Sequence, residues 1–138
     1  MDLSEDQLCR IGGVAREHDL TLVLLFGSIV SGGEHARSDL DVAVQCSGNG
    51  PDFRELASIQ AELQEIFPEK EVDLALINHA DPLFLKKITE SCRLLAGDPR
   101  ALAELKIYAF RRYQDHQRFF VMERAFVDRF VKERAGAR

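Results

Sequence analysis

The sequence predicts an α/β (α+β) protein built on a small mixed sheet with helices packed on one side. Three observations carry that prediction. Leu20–Phe26 (LTLVLLF) is a continuous apolar run of strand length. Leu40–Val44 and Glu71–Ile77 alternate apolar and polar residues with the period of a strand. Segments of helical period precede, separate and follow these three.

Taken in order, Ser4 followed by Gln7 has the form of a capping box. The helix it opens carries Leu8, Ile11 and Val14 on one face and reaches about His18. The run Leu20–Phe26 reads as a buried strand, ended by Gly27-Ser28, with Gly32-Gly33 marking a loop or the end of a short helical turn. In the second strand Asp39, Asp41 and Ala43 point one way and Leu40, Val42 and Val44 the other. Ser47–Pro51 is a turn cluster. Leu56, Ile59, Leu63 and Ile66–Phe67 give a helix from Phe53 that Pro68 stops, and Glu71–Ile77 is the third strand. Asp81-Pro82 caps a helix to about Glu90, Arg93–Leu95 suits a short extra strand, and Asp98-Pro99 caps again. A long amphipathic helix then spans Arg100 to about Arg134, with a kink or split expected near Tyr113–His116.

The 138 residues suit one domain: a core over 1–97 and a helical extension over 98–138 that packs on the core or on a partner. With 46% hydrophobic and 30% charged residues the composition is that of a globular chain. No apolar run approaches the roughly 20 residues of a membrane span. Met1–Cys9 holds three acids and no base, so no targeting segment and a cytoplasmic location are expected. Cys9, Cys46 and Cys92 are odd in number and widely spaced, which suits reduced thiols rather than disulfides or a zinc cluster. Net charge is −5, against a general nucleic-acid binder, but it is uneven. Residues 1–100 hold 9 Lys/Arg and 18 Asp/Glu, whereas residues 101–138 hold 9 and 5.

Three acids stand out. Asp39 and Asp41 leave the same face of one strand, and Asp73 holds an alternating position on a strand able to neighbour it. Gathering like charges in a sheet is costly, and a pair of hard divalent cations would remove the cost. Carboxylates sharing two such ions can clamp the attacking and leaving oxygens of an in-line phosphoryl displacement. Gly27-Ser28, after a buried strand, offers a backbone that can approach phosphate and a hydroxyl that can hold its oxygens. Ten residues separate Ser28 from Asp39, enough to turn and enter an adjacent strand.

Leu25–Val44, with Gly-Ser, ten residues, Asp-x-Asp and then a third strand Asp, resembles the signature of polymerase-β-type nucleotidyltransferases. The short chain and Glu71–Leu74 are similar to the minimal nucleotidyltransferases that accompany HEPN-domain toxins. The resemblance implies that Gly27 and Ser28 hold the β/γ-phosphates of ATP and that Asp39 and Asp41 bind two Mg2+ ions. It implies that Asp73 binds the catalytic ion and takes the proton of the attacking hydroxyl. Val30 and Ser31 stand where the family commonly has an arginine, and Arg37 is a candidate substitute.

What this implies is an antitoxin, with a HEPN ribonuclease toxin as partner. It would transfer AMP from ATP to a tyrosine hydroxyl of that toxin, releasing diphosphate. Two other readings stand beside it: an antitoxin that acts by stable complex formation, and a small-molecule nucleotidyltransferase such as one acting on aminoglycosides. His35 reads as a surface residue, His18 and His79 as surface or element-end residues, and Cys46 as a small buried apolar one. Arg111 and His116 match a short ribonuclease motif, in a chain that is not an all-helical bundle. The aromatics from Tyr108 to Phe130 exceed what a helix buries against a small sheet and form a second core face or a partner-binding face.

Overall fold

A computed structural model describes residues 2–27 and 39–136. Ser28, Val30, Ser31, the Gly32-Gly33 pair, His35 and Arg37 lie outside the described residues. The elements run α1 (Glu5–Glu17), β1 (Leu20–Phe26), β2 (Leu40–Cys46), α2 (Phe53–Ile66), β3 (Val72–Leu76), α3 (Pro82–Glu90), β4 (Cys92–Gly97) and α4 (Pro99–Gly136). The four strands form one mixed sheet in the order β3-β2-β1-β4. β1 pairs antiparallel with β2 and β4, and β2 pairs parallel with β3.

Local signals start the helices where expected. Ser4 accepts from the Gln7 N–H while the Gln7 side chain accepts from the Ser4 N–H, closing the capping box of α1. Asp52 accepts from the Glu55 N–H at the head of α2, and Asp81 from the Leu83 and Phe84 N–H groups at the head of α3. Asp98 accepts from the Arg100 N–H as α4 begins.

The helices do not lie on one side of the sheet, as the sequence suggested. α1 and α2 cover one face, where Ile11, Val14, Ile59 and Leu63 meet Val23, Leu25, Leu40, Val42 and Val44. α3 and the first turns of α4 cover the other, where Leu85, Ile88, Leu105 and Ala109 meet Leu22, Leu24, Phe26 and Ala43. The reason was present in β1. A strand with water on one face alternates, whereas LTLVLLF places large apolar groups on both faces and so needs cover on both. Burying Leu22, Val23, Leu24 and Leu25 to 2% exposure or less contributes on the order of 2 kcal/mol for each.

β3 is an edge strand held by side chains as well as by the ladder. Gln64 accepts from the Val72 N–H at 2.9 Å and donates to the carbonyls of Phe67 and Lys70. Gln60 donates to the Val72 carbonyl. The turn from α2 into β3 is thereby fixed, and with it the register of Asp73.

The expected break near Tyr113–His116 is absent: α4 is one helix of 38 residues. No proline or glycine interrupts it before Gly136, and at 1.5 Å per residue it is about 57 Å long. Tyr113 ties it to α3, its ring receiving the Lys86 ammonium at 4.7 Å. From Arg118 to Ala135 every residue is exposed. No helix of the described residues is long and apolar enough to cross a membrane.

Candidate active site

The sheet register brings the predicted acids to one edge. Asp41 lies beside Asp73 across the parallel β2–β3 pair and opposite Phe26 across the antiparallel β1–β2 pair. Asp39 sits just before β2, two residues from Asp41, and is exposed. The alternation of β2 turns Asp41 towards the face of Ala43, the side covered by α3 and α4.

Gly27 follows β1 with φ +87°, a conformation that glycine tolerates and other residues resist. A Cβ built there would overlap Asp41 Oδ2 and stand 3.1 Å from its Cγ. The backbone leaving β1 therefore runs against the Asp41 carboxylate with no room for a side chain between them. Ser28, the other half of the predicted phosphate cradle, lies outside the described residues.

Partial burial and the charge of Asp73 hold the Asp41 carboxyl above its ordinary pKa, Lys87 opposes them, and Asp39 adds to the rise. Lys87 is a residue the sequence reading missed. It lies on α3, three positions after Phe84, whose ring meets Phe26 edge to face at 6.2 Å. Phe26 is the residue opposite Asp41, so the Phe84 contact carries this turn of α3 to the acids. The i, i+3 spacing of Phe84 and Lys87 was the signal available in the sequence.

The donor set is oxygen-only, the chemistry hard divalent cations take, and neighbouring like charges are what such a cation relieves. Asp39, Asp41 and Asp73 share a strand end without drawing together around a point. Among the described residues, the acid–histidine group whose ligand atoms do lie within 4.8 Å of one another is Glu17, His18 and Glu62. It lies near the start of β1, remote from the acids at its end. His18, expected at the surface or at an element end, stands at the end of α1 and links that helix to α2. Its side chain is 10% exposed, with Nε2 2.6 Å from Glu62 and Nδ1 3.5 Å from Glu55. Burial opposes protonation of His18, but the Glu62 hydrogen bond and charge outweigh it and raise the pKa above the ordinary value. Cys46 is buried as expected, which pushes its thiol pKa up. His79 is exposed in the turn after β3.

Comparison with known proteins bears on the family and the fold. A family profile described as polymerase beta, nucleotidyltransferase matches residues 11–100, from α1 into the start of α4. Among solved structures, a chain of a toxin–antitoxin crystal structure with AMP-PNP matches with TM-score 0.71 at 22% identity. That match covers 90% of this chain and 98% of the other. A chain of the Shewanella oneidensis complex of a tri-AMPylated HEPN toxin with an MNT antitoxin matches with TM-score 0.67 at 19% identity, over 94% and 99%. A chain of an MntA–HepT toxin–antitoxin structure matches with TM-score 0.66 at 19% identity, over 93% and 99%. At these identities the structural likeness speaks to the fold. No curated protein matches the sequence.

Proposed function

The chain belongs to the polymerase beta nucleotidyltransferase family, and from that premise we propose that it is an antitoxin that transfers AMP from ATP to a tyrosine hydroxyl of a HEPN ribonuclease toxin. The observation that carries the reading is the register of Asp41 against Asp73, with Asp39 two residues away and the Gly27 backbone against Asp41. The solved structures of like fold add support, since their descriptions include AMP-PNP and an AMPylated toxin.

In this reading Gly27 and Ser28 receive the β- and γ-phosphates, where a turn without a Cβ lets N–H groups approach the oxygens. Asp39, Asp41 and Asp73 would hold two Mg2+ ions, whose charge offsets that developing on the α-phosphate. Asp73, at the open edge of the sheet, takes the proton of the acceptor hydroxyl. The hydroxyl oxygen bonds to the α-phosphorus, the bond from that phosphorus to the bridging oxygen breaks, and diphosphate leaves. Lys87 supplies positive charge on the α3 side, suited to the polyphosphate. The core over 1–97 supplies the chemistry and the extension over 98–138 the partner contact, both within one domain. Neutralisation by stable complex formation is a second reading, favoured by the long exposed apolar stretch of α4.

The test uses ATP labelled at the α-phosphate, Mg2+ and the HEPN-domain protein co-expressed from a neighbouring gene. Label is expected on the HEPN protein with the native chain. The Asp39→Ala/Asp41→Ala variant is expected to lose transfer by roughly a thousandfold or more, as when charge-stabilising groups are removed elsewhere. Equal labelling by the two proteins would sink the assignment of the acids. No label, with a complex that still blocks ribonuclease activity, would replace catalysis by binding.

A further inference from the structure

We infer that the outer half of α4 is a docking surface for the helical face of a different protein, apolar at its centre and acidic at its rim. The surface is a continuation of one the protein already uses. Leu105, Ala109, His116, Phe120, Val127 and Val131 recur at intervals of four and seven, so they lie along one stripe of the helix. At its start the stripe is core: Leu105 and Ala109 are 5% and 2% exposed. At its end the same stripe has nothing beneath it, with Phe120, Val127 and Val131 half exposed or more. The helix outruns the sheet it packs on, and its apolar pattern does not stop where the sheet does.

The size of the exposed area fits an interface. Phe119, Phe120, Phe126 and Phe130 flank or form the stripe at 49% to 70% exposure. Together they present roughly 500 Å² of ring surface, as much as the largest patch of an ordinary monomer. A specific interface needs about 800 Å² on each side, which these rings with the intervening valines approach. Phe120, Glu123, Arg124 and Val127, at i, i+3, i+4 and i+7, border an open groove along one side of the helix, the spacing by which a crossing helix is met.

A second copy of the chain fits this surface poorly. Outside α4 the described residues expose only two large apolar side chains, Phe53 and Leu83. Among the described residues, the body of another copy offers this stripe the single exposed ring of Phe53 beside Leu56, Leu74 and Leu76. The α4 of another copy offers the apolar counterpart but the wrong charge, since residues 101–138 carry 9 Lys/Arg against 5 Asp/Glu. Two such tails side by side repel, whereas an acidic rim would pair with Arg124 and Arg129 and speed association. This inference deepens the proposed function and rests on it for the partner's identity: the occupant is the toxin that accepts AMP. A docked toxin would have its acceptor held near the acids by a second, separate contact, raising its effective concentration there.

The experiment pairs the full-length chain with the co-expressed HEPN-domain protein and measures affinity by calorimetry and self-association by sedimentation. Phe120→Asp/Val127→Asp alters the stripe, and Arg124→Glu/Arg129→Glu alters the rim. All four positions are exposed in the free chain, and circular dichroism with an AMP-PNP titration reports that fold and nucleotide site are intact. The stripe variant is expected to bind the HEPN protein at least a hundredfold more weakly. The rim variant is expected to bind more weakly at low salt than at high salt relative to the native chain. Native affinity in both variants overturns the docking surface while AMP transfer, if retained, leaves the function standing. A native chain that is dimeric alone, and monomeric as the stripe variant, makes a second copy the occupant and also overturns it. A native chain that neither binds nor labels the HEPN protein removes both the function and this partner.

Discussion

The two ends of this molecule are built on opposite terms. At the edge where β1 ends and β2 begins, positions are set by residues distant in sequence: Gly27 has no space for a methyl group, and Asp41 is half-buried with Asp73 and Phe26 as its strand neighbours. In the outer half of α4, side chains from Arg118 onward are exposed and the helix rests on its own backbone bonds. The first region is acidic and built by long-range pairing. The second is basic, aromatic and purely local. A protein needs the first arrangement to place charges about a reacting group, because errors near 1 Å cost rate. It can use the second where a partner supplies the missing contacts.

The contrast breaks most cleanly on two apolar truncations. Ile59→Ala removes a fully buried side chain from between α2 and the sheet and should cost about 2–5 kcal/mol in chemical denaturation. Phe126→Ala, in a residue 70% exposed, should change the stability of the free chain by less than about 0.5 kcal/mol. Comparable losses would mean that the tail is packed in solution.

Gly27→Ala comes next. The new methyl must displace the Asp41 carboxylate or reshape the turn, on top of a positive φ. A fall of about a hundredfold in AMP transfer is expected, together with a lower melting temperature. A variant with native rate and affinity would show that the turn has slack that its geometry denies.

Gln64→Ala tests whether the acids depend on remote support. The Val72 N–H and the Lys70 carbonyl lose the Gln64 amide, and the Phe67 carbonyl keeps only the Lys70 N–H of its two donors, so unfolding should become easier by about 1–3 kcal/mol. Amide exchange should rise first in β3, and transfer should fall because Asp73 rides on that strand.

A smaller loss, and one that depends on pH, is expected at His18. Its pKa is raised in the folded protein, so its stabilising contribution is full below the ordinary histidine pKa and fades as pH rises through the folded value. His18→Gln should therefore cost about 1 kcal/mol near pH 6 and less near pH 9, read from denaturation midpoints at the two pH values. A difference that grows with pH would reverse the sign and remove the charged His18–Glu62 pair as its source.

Much of this was legible in the chain alone, and for a consistent reason. Caps at Ser4, Asp52, Asp81 and Asp98, the apolar run of β1 and the alternation of β2 and β3 depend on neighbours a few residues away, so sequence spacing determines them. The same spacing put Asp41 on β2, with Asp39 two residues before it and just outside the strand. The absence of proline and glycine between Pro99 and Gly136 also determined that α4 continues without the break expected of it. What only the tertiary structure decided involves elements distant along the chain. It decided that Asp73 stands beside Asp41 in parallel register, that Lys87 bears on the same carboxylate, that helices cover both faces of the sheet, and that the core ends beneath α4 before its apolar stripe does. The periodicity of a segment records which face is apolar. Which surface meets that face, or whether any does, is settled by the geometry of the whole sheet.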